Sequence, residues 1–307
     1  MSLIVIGSVA LDDIETPFGK ADKIVGGAAP FACLAASYFY NKVKLVGIIG
    51  KNFPKSEIAV WHDHNINTEG LQIDENRLNF YWSGKYHTDM NSRDTLETGL
   101  NVLEDFDPII PESYQDCEYL MLANLAPITQ QTAIKRLKKR PKLIVMDTMN
   151  FWMDIALNDL LETIKLVDVL TINDAEARQL SGEYSLVKAA NKILLMGPKY
   201  LIIKKGEHGA LLFHENHVFF APALPLEDVF DPTGAGDTFA GGFIGHLAKS
   251  RDISFENMKT AIIMGSAMAS FCVEKFGPQR LKEINRADID QRLAEFVQLV
   301  NFDIDLV

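Results

Sequence analysis

Residues 229–247, VFDPTGAGDTFAGGFIGHL, join an apolar approach to a run of small residues and then to an apolar helical pattern. The approach ends at Asp231-Pro232, and the helical pattern begins near Asp237. Glycines between these points let the backbone pass close to a ligand, and the first N–H groups of a helix are free and lie at the positive end of its dipole. The stretch therefore predicts an anion-binding turn at a helix N-terminus.

Asp237 is the unexpected residue in this turn, because a carboxylate among phosphate-binding donors repels phosphate unless it faces a different atom. A general base beside a transferring phosphoryl group meets this condition. It takes a proton from a substrate hydroxyl while the amides of Ala235, Gly236 and Asp237 hold the charge on the phosphate. The alternative is an ordinary helix N-cap, a position that Asp often occupies. The whole Asp-x-Thr-Gly-Ala-Gly-Asp string favours the base.

The string from Asp231 to Phe243 resembles the C-terminal signature of the ribokinase-like (PfkB-type) carbohydrate kinases. The resemblance implies a ribokinase-like α/β fold of three layers, in which a central, mostly parallel sheet lies between helices and a small β-sheet forms a lid. It implies that Asp237 is the catalytic base and that the anion hole is the turn of Gly234, Ala235 and Gly236. It also implies ATP and Mg²⁺ and, since members often need a monovalent cation, K⁺ near Asp231.

Composition excludes several classes of protein. The chain has 307 residues, 48% of them hydrophobic, which is enough for a large core. A net charge of −11 argues against a nucleic-acid surface. Three distant cysteines without a C-x-x-C spacing indicate a reducing compartment and no disulfide or zinc framework. No stretch is long and apolar enough to span a membrane, so the sequence predicts a cytoplasmic protein that binds neither membrane nor nucleic acid.

Two early motifs are predicted to bind the acceptor. Residues 3–6 form a buried strand in this interpretation, and Asp12 follows where a carboxylate can accept hydrogen bonds from substrate hydroxyls. A turn carboxylate is the alternative, but the resemblance implies that Asp12 holds the sugar. It also implies that Gly26 and Gly27 let the next helix approach the sugar. Phe31 stands where many members have Asn, which argues against plain ribose as the substrate.

A lid is predicted around residues 81–93, which are dense in aromatic and hydrogen-bonding side chains. Such side chains suit a lid over a polyol or a nucleoside, whereas an exposed edge hairpin is the alternative. Lys85 and Arg93 are candidates for binding substrate, including a phosphate on an already phosphorylated one. Residues 1–307 are predicted to form a single domain, with the lid formed mainly by about 12–25 and 68–100.

Short apolar strands alternate with amphipathic helices from Tyr119 onward, which predicts a parallel sheet with right-handed crossovers. Three polar residues fall at predicted strand ends on the ligand side, and any of them is a substrate candidate: Asn124, Asp147 and Asn150. By resemblance, Asn173 and Glu176 serve magnesium and phosphate, Glu176 through water. The remaining nucleotide-binding positions that the resemblance implies are Lys204 (Thr in the family), Gly206, Gly209, Thr233 and Ser270.

The sequence predicts an ATP-dependent kinase that phosphorylates a hydroxyl of a sugar or polyol. A nucleoside kinase is the second interpretation, because the aromatic lid would suit a base. A non-catalytic sugar or nucleotide sensor on the same scaffold is the third; Phe31 supports it and the intact Asp237 argues against it. The substrate itself, the need for K⁺ and the pairing of lids across a homodimer are left open by the sequence.

Overall fold

The computed structural model describes residues 2–301. Within them the strands are β1 (Leu3–Ile6), β2 (Ala10–Thr16), β3 (Gly19–Gly26), β4 (Val43–Gly50), β5 (Ile66–Asp74), β6 (Phe80–Tyr86), β7 (Arg93–Gly99), β8 (Tyr119–Leu122), β9 (Leu143–Asp147), β10 (Val169–Asn173), β11 (Tyr200–Lys204), β12 (Ala210–His214) and β13 (His217–Ala221). The α-helices are α1 (Ala28–Ser37), α2 (Ser56–Asp63), α3 (Pro127–Lys135), α4 (Asn150–Ile155), α5 (Leu157–Ile164), α6 (Asp174–Ser181), α7 (Leu186–Leu194), α8 (Ala235–Ser250), α9 (Phe255–Cys272), α10 (Gln279–Glu283) and α11 (Arg286–Val300). Short 3-10 helices lie at Asn101–Leu103, Glu112–Tyr114 and Gly206–His208.

Nine of these strands form one large sheet in the order β13-β12-β11-β10-β9-β8-β1-β4-β5. Every neighbouring pair from β5 to β11 is parallel. Strands β12 and β13 extend the sheet in the antiparallel sense at one edge. The predicted mostly parallel sheet is therefore confirmed.

Helices cover both faces of the large sheet, which confirms the three-layer fold. In β1, Leu3 and Val5 belong to one apolar cluster, whereas Ile4 and Ile6 belong to a second cluster on the opposite face. All four side chains are fully buried. Helices α1, α8 and α9 contribute to the first cluster, and α3 to α7 contribute to the second. A strand that is apolar on both sides needs such a double cover.

The other four strands form a separate small sheet in the order β3-β2-β6-β7. They lie within residues 10–26 and 80–99, close to the predicted lid. The lower bound predicted for its second part, residue 68, differs from the structure, because residues 66–74 form β5 and pair in parallel with β4. Ile66 is buried there, and the N–H of Gly70 donates to the hydroxyl of buried Tyr114 at 3.3 Å. These core contacts hold β5 at the edge of the large sheet.

Three parallel strands bring polar residues to one edge of the large sheet. The neighbouring strands β9, β10 and β11 end at Asp147, Asn173 and Lys204. Asn173 is aligned with Lys204, and Asp147 is aligned with Thr171. Ligands of open α/β sheets bind outside such carboxyl ends. This edge is therefore the candidate ligand side of the sheet.

The remaining sequence expectations concern cysteines and membrane segments. Cys33, Cys117 and Cys272 are free and buried, as expected for small apolar core residues. Among residues 2–301, none of the helices combines the length and the hydropathy that a membrane crossing requires.

Candidate active site

The turn before α8 leads directly into the helix. Gly234 is the N-cap, with φ +76°, and the helix begins at Ala235. The N–H of Ala235 donates to the carbonyl of Pro232 at 3.2 Å, which closes the turn. In the described part of the chain, the N–H groups of Gly236 and Asp237 have no main-chain acceptor. These two amides thus have no main-chain partner, although the N–H of Asp237 also lies against its own carboxylate. The third predicted donor, Ala235, is used within the turn itself.

Asp237 lies in the first turn of α8, three residues after the N-cap. Because Gly234 is the N-cap and no side-chain capping bond is formed, the interpretation of Asp237 as an N-cap is wrong. Burial raises the pKa of Asp237 to about 7, and the negative charge of Asp147 adds to this effect, whereas Lys204 and Arg93 oppose it. A carboxyl group that titrates near neutral pH is well matched to the work of a general base.

Lys204 and Asp147 form an ion pair beside the turn. The distance from Lys204 Nζ to Asp147 Oδ2 is 2.7 Å, and the side chains are only 17% and 6% exposed. A methyl group added at Gly236 would lie 3.0 Å from Lys204 Nζ, so the ammonium group faces the backbone of the turn. Burial lowers the pKa of Lys204, but the carboxylates of Asp147 and Glu176 more than offset this, and the pKa lies above its ordinary value. Lys204 is therefore a cation at the anion-binding turn.

Asn173 and Glu176 form a capping box at the start of α6. Asn173 Oδ1 accepts the N–H of Glu176 at 2.8 Å, and Glu176 Oε2 accepts the N–H of Asn173 at 2.7 Å. Burial raises the pKa of Glu176 to about 7. Glu176 Oε1 has no hydrogen-bond partner among the described residues, so one oxygen of this carboxylate remains for a magnesium-bound water. Sparse carboxylate ligation of this kind suits Mg²⁺.

Asp12 lies in strand β2 of the small sheet and is 3% exposed. Its Oδ1 atom is buried and has no hydrogen-bond partner in the described chain. A methyl group at Gly26 would lie 1.7 Å from Asp12 Oδ2, so glycine is required beside this carboxylate. Burial raises the pKa of Asp12, and the charge of Asp231 raises it further. Because a buried oxygen without a donor is costly, the site is suited to a ligand hydroxyl that donates to Oδ1.

The ring of Phe31 packs against the turn at Gly234. Its side chain is 1% exposed, and a methyl group at Gly234 would lie 2.5 Å from three atoms of its ring. The predicted approach of α1 to the site is thus present, with Gly27 at φ +85° just before the helix. The Phe31 ring, however, fills space beneath the anion-binding turn. Direct contact of Phe31 with substrate stays a prediction.

The small sheet contacts the turn through Tyr86. The hydroxyl of Thr233 donates to the hydroxyl of Tyr86 at 3.1 Å. Arg93, aligned with Tyr86 on β7, lies close enough to lower the pKa of Asp237 and of Glu176. Lys85 precedes Tyr86 in β6 and faces the opposite side, where its ammonium pairs with Glu15 at 2.8 Å. The structure brings Arg93 to the site and does not bring Lys85 there.

A cavity of about 520 Å³ lies next to the turn. Its polar wall includes Lys204 and the backbone of the Gly206–His208 turn, and its apolar wall includes Leu226, Val229 and Phe239. The predicted nucleotide-binding residues that line it are Lys204, Gly206, Gly209 and Ser270, and the anion-hole residues that line it are Ala235 and Gly236. Asn173, Glu176 and Thr233 lie outside this lining. The cavity is a candidate nucleotide site whose inner end is the anion-binding turn.

Asp231 anchors the turn to the segment after α9. Its Oδ1 accepts the N–H of Thr233 at 2.9 Å, and its Oδ2 accepts the N–H of Gly277 at 2.8 Å. The side chain is fully buried, and burial raises its pKa. Both oxygens thus have donors from the protein itself. These two bonds explain why the carboxylate of Asp231 is buried. It therefore gives no support to the predicted monovalent-cation site.

Asn124 is held at the same sheet edge by α4. Its Oδ1 accepts the indole N–H of Trp152 at 2.8 Å, and its amide lies 3.1 Å from the sulfur of Met149. These bonds give it a packing role, and contact with substrate stays a prediction. Asp147 and Tyr86, by contrast, contact site residues although the sequence indicated neither role. Asp147 was recognisable only as one of several polar strand ends, and Tyr86 only as one of several aromatic residues in the lid.

The three-layer fold with its small second sheet is that of a small-molecule kinase, an enzyme that transfers a phosphoryl group to a hydroxyl. The chain matches the pfkB family carbohydrate kinases over residues 5–285 and belongs to this family. Kinases of this family use ATP with Mg²⁺.

Similar proteins include kinases of nucleosides and of ribose. The cytidine kinase of Thermococcus kodakarensis is 29% identical over 280 residues, which cover 90% of this chain and 98% of that protein. The ribokinase of Lactococcus lactis is 26% identical over 291 residues, with 90% and 91% covered. An Escherichia coli structure described as ribokinase II, in complex with ATP and Mg²⁺, has a TM-score of 0.77 at 17% identity and covers 97% of this chain and 99% of that one. The last similarity shows the shared fold.

Proposed function

We propose that this chain transfers the γ-phosphoryl group of ATP to a hydroxyl of a sugar, polyol or nucleoside, with Asp237 as the general base. One observation carries the proposal. Asp237 lies half-buried in the first turn of α8, where no side-chain capping bond is formed and the N–H groups of Gly236 and Asp237 have no main-chain acceptor among the described residues. A carboxylate in this position can take a proton while the adjacent amides hold the charge of the phosphoryl group.

The transfer follows from this arrangement. Asp237 takes the proton of the acceptor hydroxyl, and the resulting oxygen nucleophile forms a bond to the γ-phosphorus. The bond from that phosphorus to the bridging oxygen of the leaving ADP breaks. The amides of Gly236 and Asp237 hold the equatorial oxygens during this step. Mg²⁺, when bound, neutralises charge on the β- and γ-phosphates, and Glu176 Oε1 would hold one of its waters.

A nucleoside is the second candidate for the acceptor, beside a sugar or polyol. The 29% identity with a cytidine kinase over 90% of this chain favours it. In the small sheet, the Trp82 ring covers Gly84 and lies 5.8 Å from the guanidinium of Arg93. An aromatic ring beside a cation on the site-facing side of the lid suits a planar base. Asp12 would hold the hydroxyls of the ribose in this case.

The test is ADP release with Mg-ATP across pentoses, hexoses, inositols, sugar phosphates and nucleosides, cytidine included. We expect one acceptor class to give turnover that is lost in Asp237→Asn. Phosphorus NMR of the product then shows which hydroxyl carries the phosphate. No ADP release with any acceptor, together with calorimetric binding of ATP or a sugar, would contradict catalysis and favour the sensor.

We expect turnover to fall as the pH drops below about 7. Asp237 accepts a proton only when it is ionised, and burial raises its pKa above the ordinary value of 3.8, so the inactive protonated form persists to higher pH. The measurement is kcat with the identified acceptor from about pH 5 to 9, with ATP affinity measured over the same range as the control. Turnover that stays constant down to about pH 5 would contradict the raised pKa of the base.

A further inference from the structure

The ion pair of Lys204 and Asp147 lies beside the turn at the start of α8. A phosphoryl oxygen bound by the N–H of Gly236 lies about 3 Å from that nitrogen. Lys204 Nζ in turn lies 3.0 Å from the position of a methyl group on the Cα of Gly236. The ammonium group and the backbone of Gly236 therefore lie close together in the wall of the same cavity. An ammonium has three N–H bonds, and the bond to Asp147 uses one of them.

The positive charge of Lys204 distinguishes it from the other residues that line the cavity. Lys204 is the only lysine or arginine among the described residues that line the cavity. Three carboxylates, those of Asp147, Glu176 and Asp237, lie close enough to raise the pKa of Lys204 and so favour its charged form. Without Lys204 this end of the cavity would repel a polyphosphate. An isolated buried ion pair adds little to stability, so stability alone is a weak reason for placing one here.

We propose that Lys204 contacts the terminal phosphoryl group during transfer, and that Asp147 is a positioning residue that holds the ammonium beside the Gly236 amide. The inference rests on the proposed function and adds two roles to it. Asp147 takes no proton and touches no reactant. It fixes the lysine by the 2.7 Å bond from the end of β9 to the end of β11.

The first test separates the terminal phosphate from the rest of the nucleotide. We expect Lys204→Met to weaken ATP binding at least tenfold in calorimetry without acceptor, to weaken ADP binding less, and to leave AMP binding within about twofold. Turnover should fall by about 10²–10³-fold, as when one donor to a developing oxyanion is removed. Lys204→Arg, which keeps the charge, should recover part of both losses.

The second test is a double-mutant cycle with turnover as the readout. Turnover is measured at about pH 9, well above the pKa of about 7 that Asp147 helps to raise in Asp237, so that loss of the Asp147 charge does not change the ionisation of the base. Under this condition Asp147→Asn should lower turnover, and the Asp147→Asn/Lys204→Met double variant should match Lys204→Met alone, because Asp147 then acts on turnover through the lysine. The double variant also removes both members of the ion pair together, so neither Lys204 nor Asp147 is left as an unpaired charge, and it remains informative if a single variant folds poorly. Additive effects would contradict the positioning role of Asp147.

A matched control comes from another ion pair, far from the site. Lys282 and Glu57 are 2.6 Å apart, with side chains 12% and 18% exposed, and they join α10 to α2. Lys282→Met removes a comparable ion pair and should leave nucleotide affinity and turnover unchanged. If Lys204→Met behaves like Lys282→Met while Asp237→Asn is inactive, the inference fails and the proposed function stands. Full turnover in Asp237→Asn would instead overturn the proposed function itself.

Discussion

Asp237→Asn should lower turnover by about 10²–10⁴-fold, with little change in ATP affinity. Asparagine has nearly the same shape as aspartate but cannot take the acceptor proton. The two amides at the start of α8 belong to the backbone, so the substitution leaves them in place. The measurements are steady-state kinetics with the identified acceptor and calorimetry with ATP. Turnover within a few fold of the unmodified protein would remove Asp237 from the role of base.

The same substitution should not destabilise the protein at pH 8. The pKa of Asp237 is about 7 in the folded chain, above its ordinary value of 3.8. Its favourable contribution to stability is therefore present below about pH 4 and is lost as the pH rises through about 7. Above that pH a buried charge opposes folding, and asparagine removes it. Thermal melts at pH 8 should show an equal or higher Tm for Asp237→Asn; a large decrease would assign the lost turnover to misfolding.

The local parts of the site were predictable from sequence, because each is a continuous string. The small residues of 234–236 and the helical pattern after Asp237 specify a helix N-terminus without any distant contact. The alternation of strands and helices likewise predicted the parallel sheet. Asn173 and Glu176 were implied by the family resemblance, and the capping box that joins them is a bond pattern within four consecutive residues. What depends on chain order and local backbone geometry could thus be inferred.

The parts that depend on distant pairing were not predictable. Lys204 and Asp147 are 57 residues apart, and only the alignment of β9, β10 and β11 brings them together. The sequence placed residues from about 68 onward in the lid, and only the pairing of residues 66–74 with β4 places them in the large sheet. In the sequence, Phe31 supported a non-catalytic sensor because it stands where many members of the family have Asn, whose polar contact to the substrate is then missing. In the structure, its ring packs against Gly234 beneath the anion-binding turn, so its presence is explained without loss of catalysis.

Gly234→Ala should impair both folding and turnover, through two separate costs. Alanine at φ +76° adopts a left-handed conformation that costs about 1–3 kcal/mol. Its methyl group would also lie 2.5 Å from three atoms of the Phe31 ring, and overpacking of this kind costs about 1–3 kcal/mol. Because Phe31 is buried, the turn must shift with its two amides. We expect turnover to fall by about 10²–10³-fold, as when an oxyanion donor is displaced.

Gly182 provides the matched control for this prediction. It also has a left-handed backbone, with φ +69°, but a methyl group there would meet no atom within 4 Å. Gly182→Ala should therefore lose only the stability that the backbone conformation costs and should keep full turnover. The difference in unfolding free energy between the two variants, measured by denaturant titration, isolates the collision with Phe31. Phe31→Leu in the Gly234→Ala background should recover part of that difference, because leucine is smaller than phenylalanine and lacks Cε2, one of the three atoms that the methyl group meets. Equal losses in both alanine variants, with turnover kept in both, would show that the Phe31 ring does not hold the anion-binding turn in place.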